Sequence, residues 1–254
     1  MMSRLANVYR IILSLLFISV ITVCAPVSAE VVGNKCQLKL QYHKELINNN
    51  NSDISKKYAF EIKNLELLLA KVGCLLVKVE VPPGRGFMLM EEGQLDVMIA
   101  ITKNPERQKH FHFIGPHGRE RNWLIGPQSK LLSLSNLAEL ERSKLTMSAT
   151  KSAFYGDDFE KLKNNEQFNR RFLLVANNKQ KLDLLIKGRV DLTVENEYVI
   201  TDMIKSGLFE QLKLSKLFLI DDCYIYYAFS KKNISDKLAI ELQSHWEKMN
   251  LIAR

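Results

Sequence analysis

Strand-like and helix-like segments alternate along this chain, and the alternation runs through the sequence twice. In the first run, residues 35–42 alternate polar and apolar side chains, residues 58–72 carry apolar side chains at helical spacing, and residues 74–81 are strand-like again. A short helical segment at 87–92 then leads to an apolar strand at 95–101. Strands separated by helical crossovers predict a parallel sheet covered by helices, which is an α/β fold.

The second run begins after a short extended segment at 123–126. It predicts helices at 135–143, 157–164, 179–187 and 197–206, and strands at 144–149, 172–175 and 190–194. A strand at 223–229 and an amphipathic helix at 236–249 complete the chain. Breaks in the pattern fall near 115–121 and 221–222. We therefore expect two lobes, the first formed by residues 30–121 with 223–254 and the second by residues 122–222.

The first 29 residues have the pattern of a secretory signal. Arg4 and Arg10 precede an apolar run at 11–23, and the small residues Ser28 and Ala29 follow it. The apolar run is shorter than the ~20 residues that a membrane-spanning helix needs. We expect cleavage after Ala29, a mature protein that begins at Glu30, and a periplasmic location.

The charge distribution argues against a nucleic-acid partner. The chain has 36 basic and 28 acidic residues, a formal net charge of +8 at pH 7. The basic residues are dispersed along the chain, as they are on a solvated surface, and form no long block. The sequence also contains no nucleotide-binding or phosphate-binding loop. We expect a monomer with no cofactor and no nucleic-acid partner.

Cysteine and histidine residues give no metal signature. Cys36, Cys74 and Cys223 remain after signal removal, and an odd number in an oxidising compartment predicts one disulfide and one free thiol. None has a second cysteine at CxxC spacing. His110 and His112 alternate with phenylalanines and have no carboxylate or cysteine at ligand spacing, so we expect no metal site.

A candidate anion-binding segment directly follows the strand at 95–101. Thr102 is followed by Asn104, which can cap a helix, by a proline at the first helical position, and by Glu106 and Arg107. Arg107 would lie in the first helical turn at the carboxyl edge of a parallel sheet, where open α/β sheets bind ligands. A guanidinium fork with a nearby hydroxyl group is suited to a carboxylate.

With these motifs the chain resembles extracellular solute-binding proteins of family 3, the amino-acid-binding type with the type 2 periplasmic binding fold. The matching segments are 93–96 for a Gly-x-x-Asp strand, Thr102, the Glu106–Arg107 pair, 113–116 for a Phe-Ser-Pro-Tyr-like segment, and 188–192 for a Gly-Arg-x-Asp-Ala motif. The resemblance spans residues 36–249. It implies two α/β lobes, each a mostly parallel sheet flanked by helices, joined by two hinge strands that close on a ligand.

The resemblance also assigns ligand-binding positions. Arg107 and Thr102 fall on the carboxylate-binding positions, and Ala100 falls where the family often has a glycine that offers its backbone. The family's acidic residue for the ligand's α-amino group aligns with Asn196, a neutral amide, so Glu195 or Glu197 beside it would have to supply the charge. Alternatively, Glu195 and Asn196 only cap the next helix.

Three further residues and one disulfide complete the candidate set. Tyr42 ends the first strand and could stack on a ligand, with a core or rim position as the alternative. Ser152 and Tyr155 lie where the second lobe should face the ligand. In this fold type the strands that Cys36 and Cys74 open are parallel neighbours, so we expect these two cysteines to pair and Cys223 to be free.

The function implied is capture of a small carboxylate-bearing ligand without chemistry, followed by recognition of the closed protein by a membrane permease or a sensor. The alternative is an enzyme, because a periplasmic dehydratase acting on prephenate-like or arogenate-like acids resembles the same family. That enzyme needs a general acid in the cleft, for which Glu195 and Glu197 are the candidates.

Overall fold

A computed structural model describes residues 36–44, 52–82, 84–129 and 134–252. The expected signal segment, 1–29, and its cleavage site lie outside the described residues. Among the helices of the described part, none is long and apolar enough to span a membrane.

The described chain contains eight strands and ten helices. The strands are β1 (Gln37–Tyr42), β2 (Leu75–Glu80), β3 (Val97–Thr102), β4 (Phe111–Pro127), β5 (Met147–Thr150), β6 (Phe172–Val175), β7 (Leu192–Asn196) and β8 (Leu214–Ser230). The helices are α1 (Asp53–Ala70), α2 (Gly86–Glu91), α3 (Pro105–His110), α4 (Leu137–Arg142), α5 (Asp157–Lys163), α6 (Glu166–Asn169), α7 (Asn178–Ile186), α8 (Glu197–Lys205), α9 (Leu208–Gln211) and α10 (Asp236–Ile252).

The strands form one sheet in the order β2-β1-β3-β8-β4-β7-β5-β6. β1 pairs in parallel with β2 and β3 at one end of the sheet, and β5 pairs in parallel with β6 and β7 at the other. These two parallel groups are the two runs of strand–helix alternation in the sequence, so the predicted α/β fold is confirmed.

Two long antiparallel strands, β4 and β8, connect the two groups. Each has 17 residues, and they pair with each other along most of their length. The C-terminal half of β8 also pairs with β3, and the C-terminal part of β4 pairs with β7. They are the two expected hinge strands.

The predicted bounds of the hinge strands were wrong. The sequence predicted only 123–126 and 223–229, and it placed breaks at 115–121 and 221–222, where the structure has continuous strand. The missed parts are partly exposed on both faces, so they lack the apolar alternation from which a half-buried strand is predicted.

Separate apolar cores lie on either side of the hinge strands. One side is packed around Leu40, Leu65, Tyr227 and further residues of the first run and the C-terminal segment. The other is packed around residues of the second run such as Phe159. We call these sides lobe 1 and lobe 2, and their division at residues 121/122 and 222/223 remains a prediction.

A disulfide connects the starts of the first two strands in lobe 1. Cys36 and Cys74 are bonded, with their Cα atoms 4.5 Å apart, and Cys223 is a free cysteine. Gln37 and Leu75, the residues that follow the two cysteines, are register partners in the parallel β1–β2 pair. This is the pairing expected from the fold type.

Candidate functional site

A cleft of about 1030 Å³ lies between the lobes. The carboxyl ends of β1 and β3 face it from lobe 1, and those of β5, β6 and β7 face it from lobe 2. The cleft therefore occupies the sheet edge where open α/β folds bind ligands. All eight predicted site residues line it: Tyr42, Ala100, Thr102, Arg107, Ser152, Tyr155, Glu195 and Asn196.

Arg107 is held at the start of α3 by local capping. The Asn104 side chain accepts a hydrogen bond from the Arg107 backbone N–H at 2.8 Å, and Pro105 occupies the first helical position, as the sequence predicted. The Arg107 side chain also stacks over the Phe87 ring, with the guanidinium carbon 4.6 Å from the ring centroid. The guanidinium group is therefore fixed in orientation by its own helix and by α2.

The Arg107 guanidinium contacts both lobes. Its Nη1 donates to the Thr102 carbonyl at 2.7 Å in lobe 1, and its Nη2 donates to the Ser152 carbonyl at 3.0 Å in lobe 2. Burial lowers the pKa of Arg107 to about 10, which leaves it charged at neutral pH. A guanidinium has five N–H donors, so three remain for a ligand.

Thr102 and Ala100 already make contacts within the protein, so their polar groups are less available to a ligand than the sequence predicted. Thr102 is buried, and its Oγ1 lies 3.5 Å from Sγ of Cys223 on the hinge strand β8. Ala100 has a left-handed backbone with φ of 57°, unusual for a residue with a Cβ atom. Its N–H donates to Nε2 of His117 at 3.4 Å, so this N–H is engaged within lobe 1.

Glu195 forms a buried ion pair at the wall of lobe 2. Its Oε1 lies 3.3 Å from Nζ of Lys181 on α7, and the two side chains are 0% and 3% exposed. Burial raises the pKa of Glu195. At Lys181 burial is the largest single effect and lowers the pKa, but the attractions of Glu195, Tyr155 and Glu120 together exceed it and raise the Lys181 pKa. The 3.3 Å contact places the Lys181 ammonium group, whose pKa is raised, beside the Glu195 carboxylate. Glu195 is therefore already neutralised by the protein.

Asn196 caps a helix and holds a carboxylate. Its Oδ1 accepts from the Tyr198 N–H at 2.8 Å at the start of α8, as the capping alternative expected. Its Nδ2 donates to Oε1 of Glu120 on β4 at 2.7 Å. Both polar atoms of the Asn196 amide are thus used within the protein. The sequence prediction did not include Glu120.

The other predicted residues are supporting elements of the cleft. Tyr155 is buried in the core of lobe 2, where its hydroxyl accepts from the Thr150 N–H at 3.2 Å. Tyr42 packs against the core of lobe 1 beside Tyr58, with ring centroids 6.5 Å apart. Ser152 contributes its carbonyl to Arg107, as described above. Tyr42 and Tyr155 therefore combine a core position with exposure of part of their surface to the cleft.

Two further observations limit the chemistry of the site. Glu197, the second candidate for a charged contact, pairs instead with Lys216 at 3.3 Å and with Arg121 at 3.6 Å. Within the described ranges, no group of three or more histidine, cysteine or acidic side chains could hold a metal ion.

Lys181 and Glu120 are two charged cleft residues that sequence reasoning missed. Lys181 lies on α7 among other polar residues and looks like a surface charge in the sequence. Glu120 belongs to an Arg-Glu-Arg segment on the hinge strand, where strand alternation turns Glu120 toward the cleft and the arginines away from it. If residues 111–127 had been predicted as one strand, the alternation of side chains along it would have indicated that Glu120 faces the cleft.

The chain has the two-lobed α/β fold of periplasmic binding proteins. Arginine-bound, truncated ArgBP from T. maritima superposes with a TM-score of 0.64 at 13% identity, covering 84% of this chain and 95% of that one. A histidine kinase sensor domain with similarity to periplasmic binding proteins superposes with a TM-score of 0.67 at 12% identity, covering 87% and 92%.

A third similar structure is the ancestral amino-acid-binding protein AncCDT-1, a precursor of cyclohexadienyl dehydratase. It superposes with a TM-score of 0.59 at 13% identity and covers 85% of this chain and 89% of its own. No protein-family profile matches the chain, and no curated protein matches it in sequence. At these identities the similarity establishes the fold alone.

Proposed function

We propose that this protein is a periplasmic solute-binding protein of the amino-acid-binding type, which closes its two lobes on a small carboxylate-bearing ligand. The observation that carries the proposal is Arg107, a partly buried guanidinium that lines the cleft, contacts a carbonyl of each lobe and has three further N–H donors. A carboxylate accepts two parallel hydrogen bonds from such a fork. The similar structures that bind arginine or other amino acids support this class of ligand.

The binding cycle that we propose uses Arg107 as a link between the lobes. Arg107 binds the Ser152 carbonyl of lobe 2, and a bound carboxylate would add a second connection through the same guanidinium. Ligand binding stabilises the closed form to the extent that it makes contacts which the open form lacks. The hinge strands β4 and β8 would bend to allow the motion.

We further propose that the chain is exported through cleavage of residues 1–29 and acts as a monomer. Its closed form would be recognised by a membrane permease or by a sensor. The apolar segment at 11–23 supports export, and the similarity to a histidine kinase sensor domain keeps a sensory role beside transport.

The test begins with a thermal-shift screen of amino acids, dicarboxylates and small peptides. A ligand present at 100 times its Kd should stabilise the protein by about 2.7 kcal/mol. Calorimetry with a compound that binds should then show a loss of about 2–5 kcal/mol for Arg107→Ala, because the ligand carboxylate loses its partner. Arg107→Lys should also bind weakly, since an ammonium cannot form the fork.

The matched control is Arg170→Ala, which removes an exposed arginine that follows α6 and does not line the cleft. It should bind like the parent. Circular dichroism establishes that each variant is folded. If folded Arg107→Ala keeps the parent affinity, Arg107 is not the carboxylate anchor and the proposal fails.

The enzyme alternative, a dehydratase acting on a prephenate-like or arogenate-like acid, is kept open by the similarity to a dehydratase precursor. Its two candidate acids, Glu195 and Glu197, are both ion-paired in this structure, whereas a general acid must be protonated before it acts. We therefore expect no loss of prephenate on incubation with the protein. Turnover that disappears in Glu195→Gln would establish the enzyme instead.

A further inference from the structure

The cleft contains a carboxylate, Glu120, that is held by a neutral amide and forms no direct ion pair with a described residue. Glu120 lines the cleft from the hinge strand β4, and its Oε1 accepts a hydrogen bond from the neutral amide of Asn196 at 2.7 Å. The neighbouring acidic groups differ, because Glu195 pairs with Lys181 and Asp222 pairs with Arg119.

The placement of Glu120 follows from the hinge strand. Along β4, Glu120 and Asn122 point into the cleft, whereas Arg119 and Arg121 point to the other face and pair with Asp222 at 2.8 Å and 3.5 Å. The strand therefore sorts the charges of this segment, with the carboxylate inside and both guanidinium groups outside. No adjacent arginine is available to neutralise Glu120.

Lys57 and Lys181 act on this carboxylate only from a distance, without a direct ion pair, so its burial remains unfavourable. Burial raises the pKa of Glu120, while the Asn196 hydrogen bond favours its charged form. A neutral amide orients a carboxylate but cannot balance its charge. The remaining acidic side chain at the cleft, Glu80, is exposed on the edge strand β2. A positively charged group arriving in the cleft would thus gain most from Glu120.

We infer that Glu120 binds the cationic group of the ligand, and that the ligand is a zwitterion whose carboxylate lies on Arg107 and whose ammonium group lies on Glu120. This inference rests on the proposed function. In the family that the chain resembles, the acidic residue for the ligand's α-amino group aligns with Asn196 in lobe 2. In this chain Glu120 on the hinge strand β4 takes that role instead. Asn196 is then a positioning residue that acts through Glu120.

The experiment compares zwitterions with matched acids that lack the amine. The probes are the twenty L-amino acids and, for each one that binds, the corresponding carboxylic acid without its α-amino group. We expect the parent protein to prefer the amino acid. Glu120→Gln keeps a hydrogen-bond acceptor for Asn196 but removes the charge, and should bind that amino acid roughly tenfold or more weakly. Its affinity for the deaminated acid should be unchanged.

A double variant tests the charge itself. Glu120→Gln combined with Asn196→Asp moves the carboxylate to the other member of the hydrogen-bonded pair, and should recover part of the lost affinity. The matched control is Glu166→Gln, which neutralises an exposed carboxylate on α6 and should bind like the parent. The melting temperature of ligand-free Glu120→Gln should equal or exceed that of the parent, because a buried carboxylate without a direct ion pair has been removed.

The outcomes separate this inference from the proposed function. If no amino acid, dicarboxylate or small peptide binds the parent protein, the proposed function fails; if only acids without an amine bind it, the role of Glu120 is wrong. If an amino acid binds and folded Glu120→Gln binds it equally well, the solute-binding proposal stands and the role of Glu120 is wrong. A parent protein that prefers the deaminated acid would also overturn the role of Glu120.

Discussion

The buried ion pair between Lys181 and Glu195 allows the most direct test of the energetics of lobe 2. At 3.3 Å and an effective dielectric constant of about 20, the attraction between the two charges is about 5 kcal/mol. Most of this attraction only offsets the removal of both charges from water. Lys181→Met preserves the approximate volume but leaves Glu195 buried without a cation, and we expect it to reduce the free energy of unfolding by about 3–5 kcal/mol.

The double variant distinguishes charge pairing from packing. Lys181→Met combined with Glu195→Leu removes both charges, and should be close to the parent in stability, because no unpaired charge remains buried. Lys179→Met is the control: it breaks the exposed pair with Asp183 on the same helix, and should change stability by under about 1 kcal/mol. Urea denaturation followed by circular dichroism measures the parent, the single variants Lys181→Met and Glu195→Leu, the double variant and the control. A double variant as unstable as the sum of its single changes would refute the reasoning.

Two further perturbations test other parts of the fold. Asp202 on α8 accepts a hydrogen bond from the backbone N–H of Asp53 at 2.8 Å and so caps α1 in the other lobe. Asp202→Ala should lower the free energy of unfolding by about 1–2 kcal/mol, measured by denaturation. It should also enlarge the radius of gyration measured by X-ray scattering. An unchanged radius would exclude a role for Asp202 in lobe closure. Burial raises the pKa of Glu61 from 4.5 to about 7, so the proton on Glu61 contributes stability below pH 4.5 that is lost as the pH rises through 7. Glu61→Gln should remove this loss and gain up to about 3 kcal/mol over the parent between pH 4.5 and 8; a pH-independent difference would contradict it.

The parallel parts of the fold could be predicted from the sequence because their pattern is local. Strand β6 was predicted at its observed bounds, and α3 was predicted at its first turn from the capping residues Asn104 and Pro105. Capping and apolar periodicity depend on residues within one or two turns of each other. The hinge strands depend instead on pairing between β4 and β8, about a hundred residues apart in the chain, and their partly exposed residues show no such periodicity.

The residues of the candidate site also differ in whether the sequence could predict them. Arg107 could be identified because the residues that hold it precede it directly on the chain. Glu120 could not, because it contacts Asn196 across 76 positions of sequence. Lys181 likewise looks like a surface residue until α7 is packed on β7 and brings it to Glu195. Residues whose role depends on a distant partner give no signal in a single sequence.

The order of strands in the sheet has a consequence for how the chain folds during synthesis. β8 lies between β3 and β4, so lobe 1 cannot complete its sheet until residues after Leu214 have been made. Until then β3 and β4 each have an unpaired edge, and such edges pair readily with other chains. The strands β5, β6 and β7 of lobe 2 emerge earlier and can pair with one another. We therefore expect the nascent chain to need protection from aggregation at the edges of β3 and β4 until β8 has emerged.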